Sequence, residues 1–381
     1  MKLIPFAASV LGNGIAYGFL PVTGFSLGVI EGYYGKPWSW QEREDNAQFL
    51  AKHGYEFYLY APKADPHLRR LWRELHPDDV ANQITRLSSQ CRAAGVRFGV
   101  GLSPTKLHIE FGAEAKQILQ RKLESLEALN LDFLALLFDD MRGDVPDLAR
   151  HQIEITHWVS ARIRTKHLVM CPSYYTDDPV LDRVFGRRPE GYLEELGRGI
   201  DPAIDIFWTG EEVISREVSI AHIDRVSEQF RRKPFLWDNY PVNDGERMSQ
   251  FLHVRAFTGR PAALKDHLAS HGVNPALQPT LTRVPAVTLA LNYKHGSAYQ
   301  YGAALREAAA DVLGAELGRM IYEDLLILQD IGLDRLGEKE AYLRERYEKL
   351  LDHAAAREVV AWLNGEYRIT DAIIQAQSGE D

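Results

Sequence analysis

Phe133-Leu134-Ala135-Leu136-Leu137-Phe138-Asp139-Asp140-Met141-Arg142-Gly143 decides how this chain is read. The apolar run 133–138 is short for a buried helix and suits a strand covered on both faces, as in a parallel sheet. It stops on two adjacent carboxylates. The same pattern recurs on either side. Apolar runs at 27–34, 57–61, 97–102, 133–139, 167–172, 204–210 and 234–240, with a weaker eighth at 273–277, alternate with segments at 40–53, 80–94, 114–129, 148–163 and 217–231 whose apolar residues recur at helical spacing. Strands alternating with helices in this way predict an α/β fold, a (β/α)8 barrel of the TIM type. A doubly wound sheet is the alternative, but no strand here runs into G-x-G-x-x-G or a phosphate loop.

Past residue 290 the alternation gives way to helical segments at 303–329 and 338–363, rich in Ala, Leu, Glu and Arg and separated by a Gly-containing break at 331–337. The expected organisation is a lead-in over 1–25, a catalytic barrel over 26–290 and a C-terminal helical domain over 291–381. That helical domain suits packing on the barrel, on a partner protein or on a second copy as a homodimer. With 381 residues, 45% hydrophobic and 10% aromatic, the chain can bury a large core, which excludes a disordered protein. Its 53 acidic against 44 basic residues leave a net charge of −9, with no electrostatic footprint for nucleic acid. Cys91 and Cys171 lie far apart in segments that read as helix and strand, so both are expected to be reduced core thiols. No apolar run is long enough to span a membrane. Near the start, Gly12, Asn13 and Gly14 interrupt what would be a signal-peptide core, so a mature, soluble, cytoplasmic protein is expected.

In a barrel of this kind, chemistry collects where strands end. Two carboxylates directly after an apolar run repel each other and resist desolvation, which should raise one pKa toward the range a general acid needs. Consecutive strand residues point to opposite faces, so Asp139 and Asp140 share a site only if the backbone turns there, which Met141-Arg142-Gly143 allows. The competing readings are a helix-capping Asp beside a solvated one, and a Mg²⁺ site. Magnesium would want further carboxylates at the next strand ends, and those finish instead in Ser173-Tyr174-Tyr175 and Trp208-Thr209-Gly210. The remaining strand ends carry hydroxyls, amides, carboxylates and aromatics that suit a sugar.

Six ordered motifs together resemble glycoside hydrolase family 84, the β-N-acetylglucosaminidases that include the O-GlcNAcases and some hyaluronidases. They are Gly28-Val-Ile-Glu-Gly-Tyr-Tyr-Gly-Lys-Pro-Trp38, Tyr60-Ala-Pro-Lys63, Phe138-Asp-Asp-Met141, Cys171-Pro-Ser-Tyr-Tyr175, Ile204-Asp-Ile-Phe-Trp-Thr-Gly210 and Trp237-Asp-Asn-Tyr-Pro-Val-Asn-Asp244. The resemblance implies a (β/α)8 barrel; with the strand ends arguing against a metal, no cofactor is expected. It also implies retaining hydrolysis of terminal β-linked N-acetylglucosamine from glycoconjugates or O-GlcNAc-modified protein, with the substrate's 2-acetamido oxygen as nucleophile. In that scheme Asp139 orients the acetamido N–H, and Asp140 is the general acid and then the base. Tyr175 and Asn239 contact the acetamido region, with Tyr174 the alternative to Tyr175. Trp237 walls that pocket, Asp244 takes the hydroxyls at the far side of the ring, and Lys63 and the backbone of Gly32 lie near the 3-hydroxyl. One departure stands out. The family's further sugar-binding Asn, about eight residues after an Asn-Pro pair, falls here on Thr282 after Asn274-Pro275. An endo-acting hyaluronidase-type enzyme and a catalytically silent sugar-binding protein are the alternatives.

Overall fold

The computed structural model describes residues 24–165 and 167–378; nearly all of the expected lead-in, and with it the signal-peptide question, lies outside the described residues. Among those described, the strands close in chain order into one parallel barrel. They are β1 (Leu27–Glu31), β2 (Tyr55–Tyr60), β3 (Arg97–Leu102), β4 (Phe133–Leu137), β5 (Leu168–Cys171), β6 (Asp205–Trp208), β7 (Phe235–Asp238) and β8 (Ser270–Val273). Closure comes from β8 returning to β1, with Leu27 beside His271 and Val29 beside Val273. Outside run α1 (Trp40–Ala51), α2 (Asp78–Ala93), α3 (Ala113–Glu127), α4 (Leu148–Ser160), α5 (Val180–Phe185), α6 (Tyr192–Gly199), α7 (Ile220–Phe230) and α8 (Arg283–His295). The fold is the (β/α)8 barrel that the alternation predicts.

Large side chains on one strand fill the space left by glycine on the next. A Cβ on Gly28 would meet the Phe57 ring at 2.3 Å, and one on Gly99 would meet Phe133 at 2.4 Å. Phe57, Phe133, Phe207 and Phe235 then pack edge to face or tilted inside the barrel, with Phe57 and Phe235 centroids 5.2 Å apart.

The eighth strand lies earlier than 273–277. His271 and Gly272 make Ser270–Val273 look polar and broken in sequence, yet both are buried for specific reasons. His271 Nε2 bonds Asp238 Oδ2 at 3.0 Å and its Nδ1 bonds the Tyr293 hydroxyl at 2.9 Å, while a Cβ on Gly272 would meet Ile30 at 2.3 Å. The shift moves Asn274 from the start of a strand to the end of one.

The helical region comprises α9 (Tyr301–Glu323), bent at Gly314 where φ is +77°, a π-helical turn over Ile327–Ile331, α10 (Lys339–Tyr347), α11 (Ala354–Leu363) and α12 (Asp371–Ser378). The single helix expected over 338–363 is two, because His353 starts a new one, its ring accepting the Ala355 N–H at 3.1 Å. Their apolar faces share a core with Tyr33, Trp38 and Val242, which follow β1 and β7, so these helices cover the barrel end where the strands finish. Glu358 on α11 ties the two parts together, accepting the Thr280 and Leu281 N–H groups at 2.8 Å each.

Candidate active site

All eight residues expected at the site, Gly32, Lys63, Asp139, Asp140, Tyr175, Trp237, Asn239 and Asp244, line a single cavity of about 230 Å³ at that end of the barrel. β4 delivers the carboxylate pair. The turn that brings both to one side is made at Asp140 itself, whose φ is +52°, rather than in the residues after it. A left-handed backbone at a non-glycine residue costs energy and persists only where its surroundings hold it. Here the Arg69 guanidinium donates to the Asp140 carbonyl at 3.1 Å and to the Asp139 carbonyl at 3.4 Å.

Side-chain contacts then divide the pair. Lys63, just past β2, is ion-paired with Asp139 Oδ2 and lies 3.3 Å from Asp140 Oδ2. Tyr34 and Tyr175 each donate a hydroxyl hydrogen bond of 2.9 Å to Asp140, one to each oxygen. Asp139 Oδ1 is buried and has no hydrogen-bond partner among the described residues. Contrary to the expectation of one raised pKa from mutual repulsion, Asp140 is pulled down to about 2: burial pushes up, but Lys63, Arg69 and the two tyrosines outweigh it. A carboxyl of this cavity whose pKa is raised is Asp244, lifted to about 6 by burial and by the charge on Asp140, against the Tyr34 N–H that donates to it at 2.9 Å and the Lys63 charge.

β1 and β7 frame the opposite wall. A Cβ on Gly32 would meet the Trp237 ring at 2.2 Å, so only glycine leaves the indole its place. Asn239 donates to the Val213 carbonyl at 2.8 Å and accepts from Asn274 at 2.9 Å, and Asn274 Oδ1 accepts the Gly32 N–H at 3.3 Å. Between Trp237 and Asn239, the buried Asp238 takes two bonds from Arg260, at 2.8 and 2.7 Å, which fix the end of β7.

Tyr175 lines the cavity, whereas Tyr174 turns away to the Gly186 carbonyl. Sequence reasoning missed Tyr34, Asn274 and Arg69. Tyr34 lay within a quoted motif but carried no distinguishing signal. Asn274 was hidden by the misplaced eighth strand. Thr282 is no substitute for an Asn, since its hydroxyl accepts the Ala276 N–H at 2.9 Å and it does not line the cavity. Ile374 of α12 lines the cavity too and had no precedent in the pattern. Among the described residues no cluster of three or more His, Cys, Asp or Glu is placed to hold a metal, and no helix is long and apolar enough to cross a membrane.

Comparison with known proteins gives a concordant picture. The β-N-acetylglucosaminidase family model matches residues 27–327. Protein O-GlcNAcase of Rattus norvegicus is 31% identical over 299 residues, 76% of this chain and 32% of that protein. The Mus musculus protein of the same name is 32% identical over 281 residues, 71% of this chain and 30% of that one. This chain thus spans about a third of the length of these relatives. A mutant O-GlcNAc hydrolase of Thermobaculum terrenum superimposes with a TM-score of 0.73 at 27% identity, covering 95% of this chain and 84% of that one. Barrel, strand-end carboxylates and family match agree, and the chain belongs to the β-N-acetylglucosaminidases of glycoside hydrolase family 84.

Proposed function

We propose that the protein is a retaining exo-β-N-acetylglucosaminidase that removes terminal N-acetylglucosamine from glycoconjugates or O-GlcNAc-modified protein, through an oxazoline formed by the substrate's own acetamido group. The observation that carries this reading is the unequal pair on β4. Asp139 offers a buried acceptor, without a partner among the described residues, in a cavity that it lines, which suits an acetamido N–H. Holding that N–H aligns the acetamido oxygen on the anomeric carbon and stabilises the positive charge that develops on the nitrogen. Both carboxylates come from one strand end and share one lysine, an arrangement that suits a reaction in which they need not meet the ring from opposite faces as a nucleophile and an acid would. An internal nucleophile removes the need for a second flanking carboxylate.

Asp140 then serves as acid for the leaving oxygen and as base for the incoming water. The protein's own groups hold it ionised, so the substrate must supply the upward shift by covering the carboxyl and excluding solvent. Asp244, Asn239, Asn274 and Lys63 supply polar partners for ring substituents, and Trp237 and Tyr175 enclose the acetamido region. A cavity of about 230 Å³ favours one ring and exo action over a polymer cleft.

Leaving-group dependence tests the acid. Asp140→Asn should slow hydrolysis of an alkyl or peptide glycoside by about 10³-fold or more. For a dinitrophenyl 2-acetamido-β-glucoside, whose leaving group needs no proton, it should lower kcat/KM, which reports oxazoline formation and not its hydrolysis, by less than about tenfold. Equal losses on both would remove Asp140 from that role, and a wild type that binds N-acetylglucosamine without turning over either substrate would favour the sugar-binding reading.

A further inference from the structure

One face of α12 belongs to the mouth of this cavity. Ile373, Ile374, Gln377 and Ser378 are half-buried while Asp371, Ala372, Gln375 and Ala376 face solvent, the alternation of a helix lying on a surface. Ile374 lines the cavity. One turn on, the Gln377 amide pairs with Gly35 as a strand would, accepting its N–H at 2.8 Å and donating to its carbonyl at 3.1 Å. Next, the Ser378 carbonyl accepts Arg69 Nε at 2.8 Å. The run into the helix is anchored as well: Ile369 is buried, its N–H donates to Ser249 Oγ at 3.1 Å, and its side chain occupies the place a Cβ on Gly35 would take.

Both anchoring points adjoin Asp140. Gly35 follows Tyr34, whose hydroxyl bonds Asp140, and Arg69 holds the Asp140 carbonyl. The helix therefore lies on the side from which the leaving oxygen departs, if Asp140 is the acid proposed above. Ile214, on the loop after β6, is the other isoleucine in the cavity lining and is 37% exposed.

We propose that α12 is a working part of the active site, in which Ile374, together with Ile214, forms an apolar lip that receives the aglycone and sets leaving-group preference. The polar groups of the cavity are committed to the sugar and to one another. Ile374 adds apolar surface where a second sugar would want hydrogen-bond partners, so the lip discriminates in favour of apolar aglycones and against a further sugar. Gln377 is a positioning residue that holds the lip in place.

The test compares kcat/KM on two substrates with the same N-acetylglucosaminyl group: a short peptide carrying it on a serine flanked by valines, and N,N′-diacetylchitobiose. Ile374→Asp should lower the peptide-to-chitobiose ratio about tenfold, chiefly through KM for the peptide, and Ile374→Leu should restore it. Gln377→Ala should shift the ratio the same way and covers the case in which a charged residue at 374 disturbs folding. A ratio unchanged in both Ile374→Asp and Gln377→Ala, with activity on both substrates retained or lost in parallel, overturns the proposal. A wild type that hydrolyses neither substrate overturns the proposed function instead.

Discussion

Asp140 faces two cations and two tyrosine hydroxyls, and these outweigh the burial that would otherwise keep it protonated. Asp244, in the same cavity, has backbone N–H groups and the Lys63 charge in its favour, but burial and the nearby Asp140 charge outweigh them and lift its pKa to about 6. An ionised Asp244 accepts more hydrogen bonds from sugar hydroxyls than a protonated one. For the dinitrophenyl glycoside, where leaving-group protonation is not needed, kcat/KM should therefore rise with pH through about 6 and then level off. Asp244→Asn should be slower throughout and flat across that window; a limb that persists in the variant belongs to another group. The adjacent acids were legible as a site because they end an apolar run. The ionisation of Asp140 was not, because the deciding cations, Lys63 and Arg69, come from a different part of the chain.

At the scale of elements, the ends of β1 and β7 are each held by a buried ionic contact. Glu31, at the end of β1, takes three bonds from Arg43 at 2.7 to 2.9 Å and one from the Tyr58 hydroxyl at 2.6 Å, directly before Gly32. Asp238, at the end of β7, is held by Arg260 and His271, which keep its pKa far below the usual carboxylate range despite complete burial. Arg260→Met leaves that carboxylate with His271 alone and should cost about 3–5 kcal/mol in urea unfolding. It should also lower activity through its neighbours Trp237 and Asn239. A loss below about 1 kcal/mol would show that Arg260 is dispensable to β7. Seven of the strands were visible as apolar runs. β8 was displaced because His271 and Gly272 are made compatible with burial by Asp238, Tyr293 and Ile30, partners that no local pattern reveals.

Across the whole molecule, the helices beyond the barrel complete the end that carries the site. Glu358 joins α11 to the β8–α8 connection, and burial raises it to about 7 against the Thr280 and Leu281 N–H groups. Its folded pKa exceeds the unfolded value of 4.5, so the folded state binds the extra proton and stability falls as pH rises from about 4.5 to 7. Glu358→Gln should flatten the fall in Tm over that window, and an unchanged slope would assign it elsewhere. The amphipathic spacing of this region was legible, but its docking on the strand ends was not, since spacing shows that a face is apolar and not what it covers. The central claim is that barrel, carboxylate pair and covering helices serve hydrolysis in which the substrate supplies the nucleophile. Its most direct measurement is kcat/KM for aryl glucosides whose 2-acetamido group carries zero, one, two or three fluorines. The account predicts a steep fall, at least about a hundredfold across the series, or about 2.7 kcal/mol of barrel-bound transition-state stabilisation lost as the acetamido oxygen weakens. A flat response would contradict it and place the nucleophile on the protein.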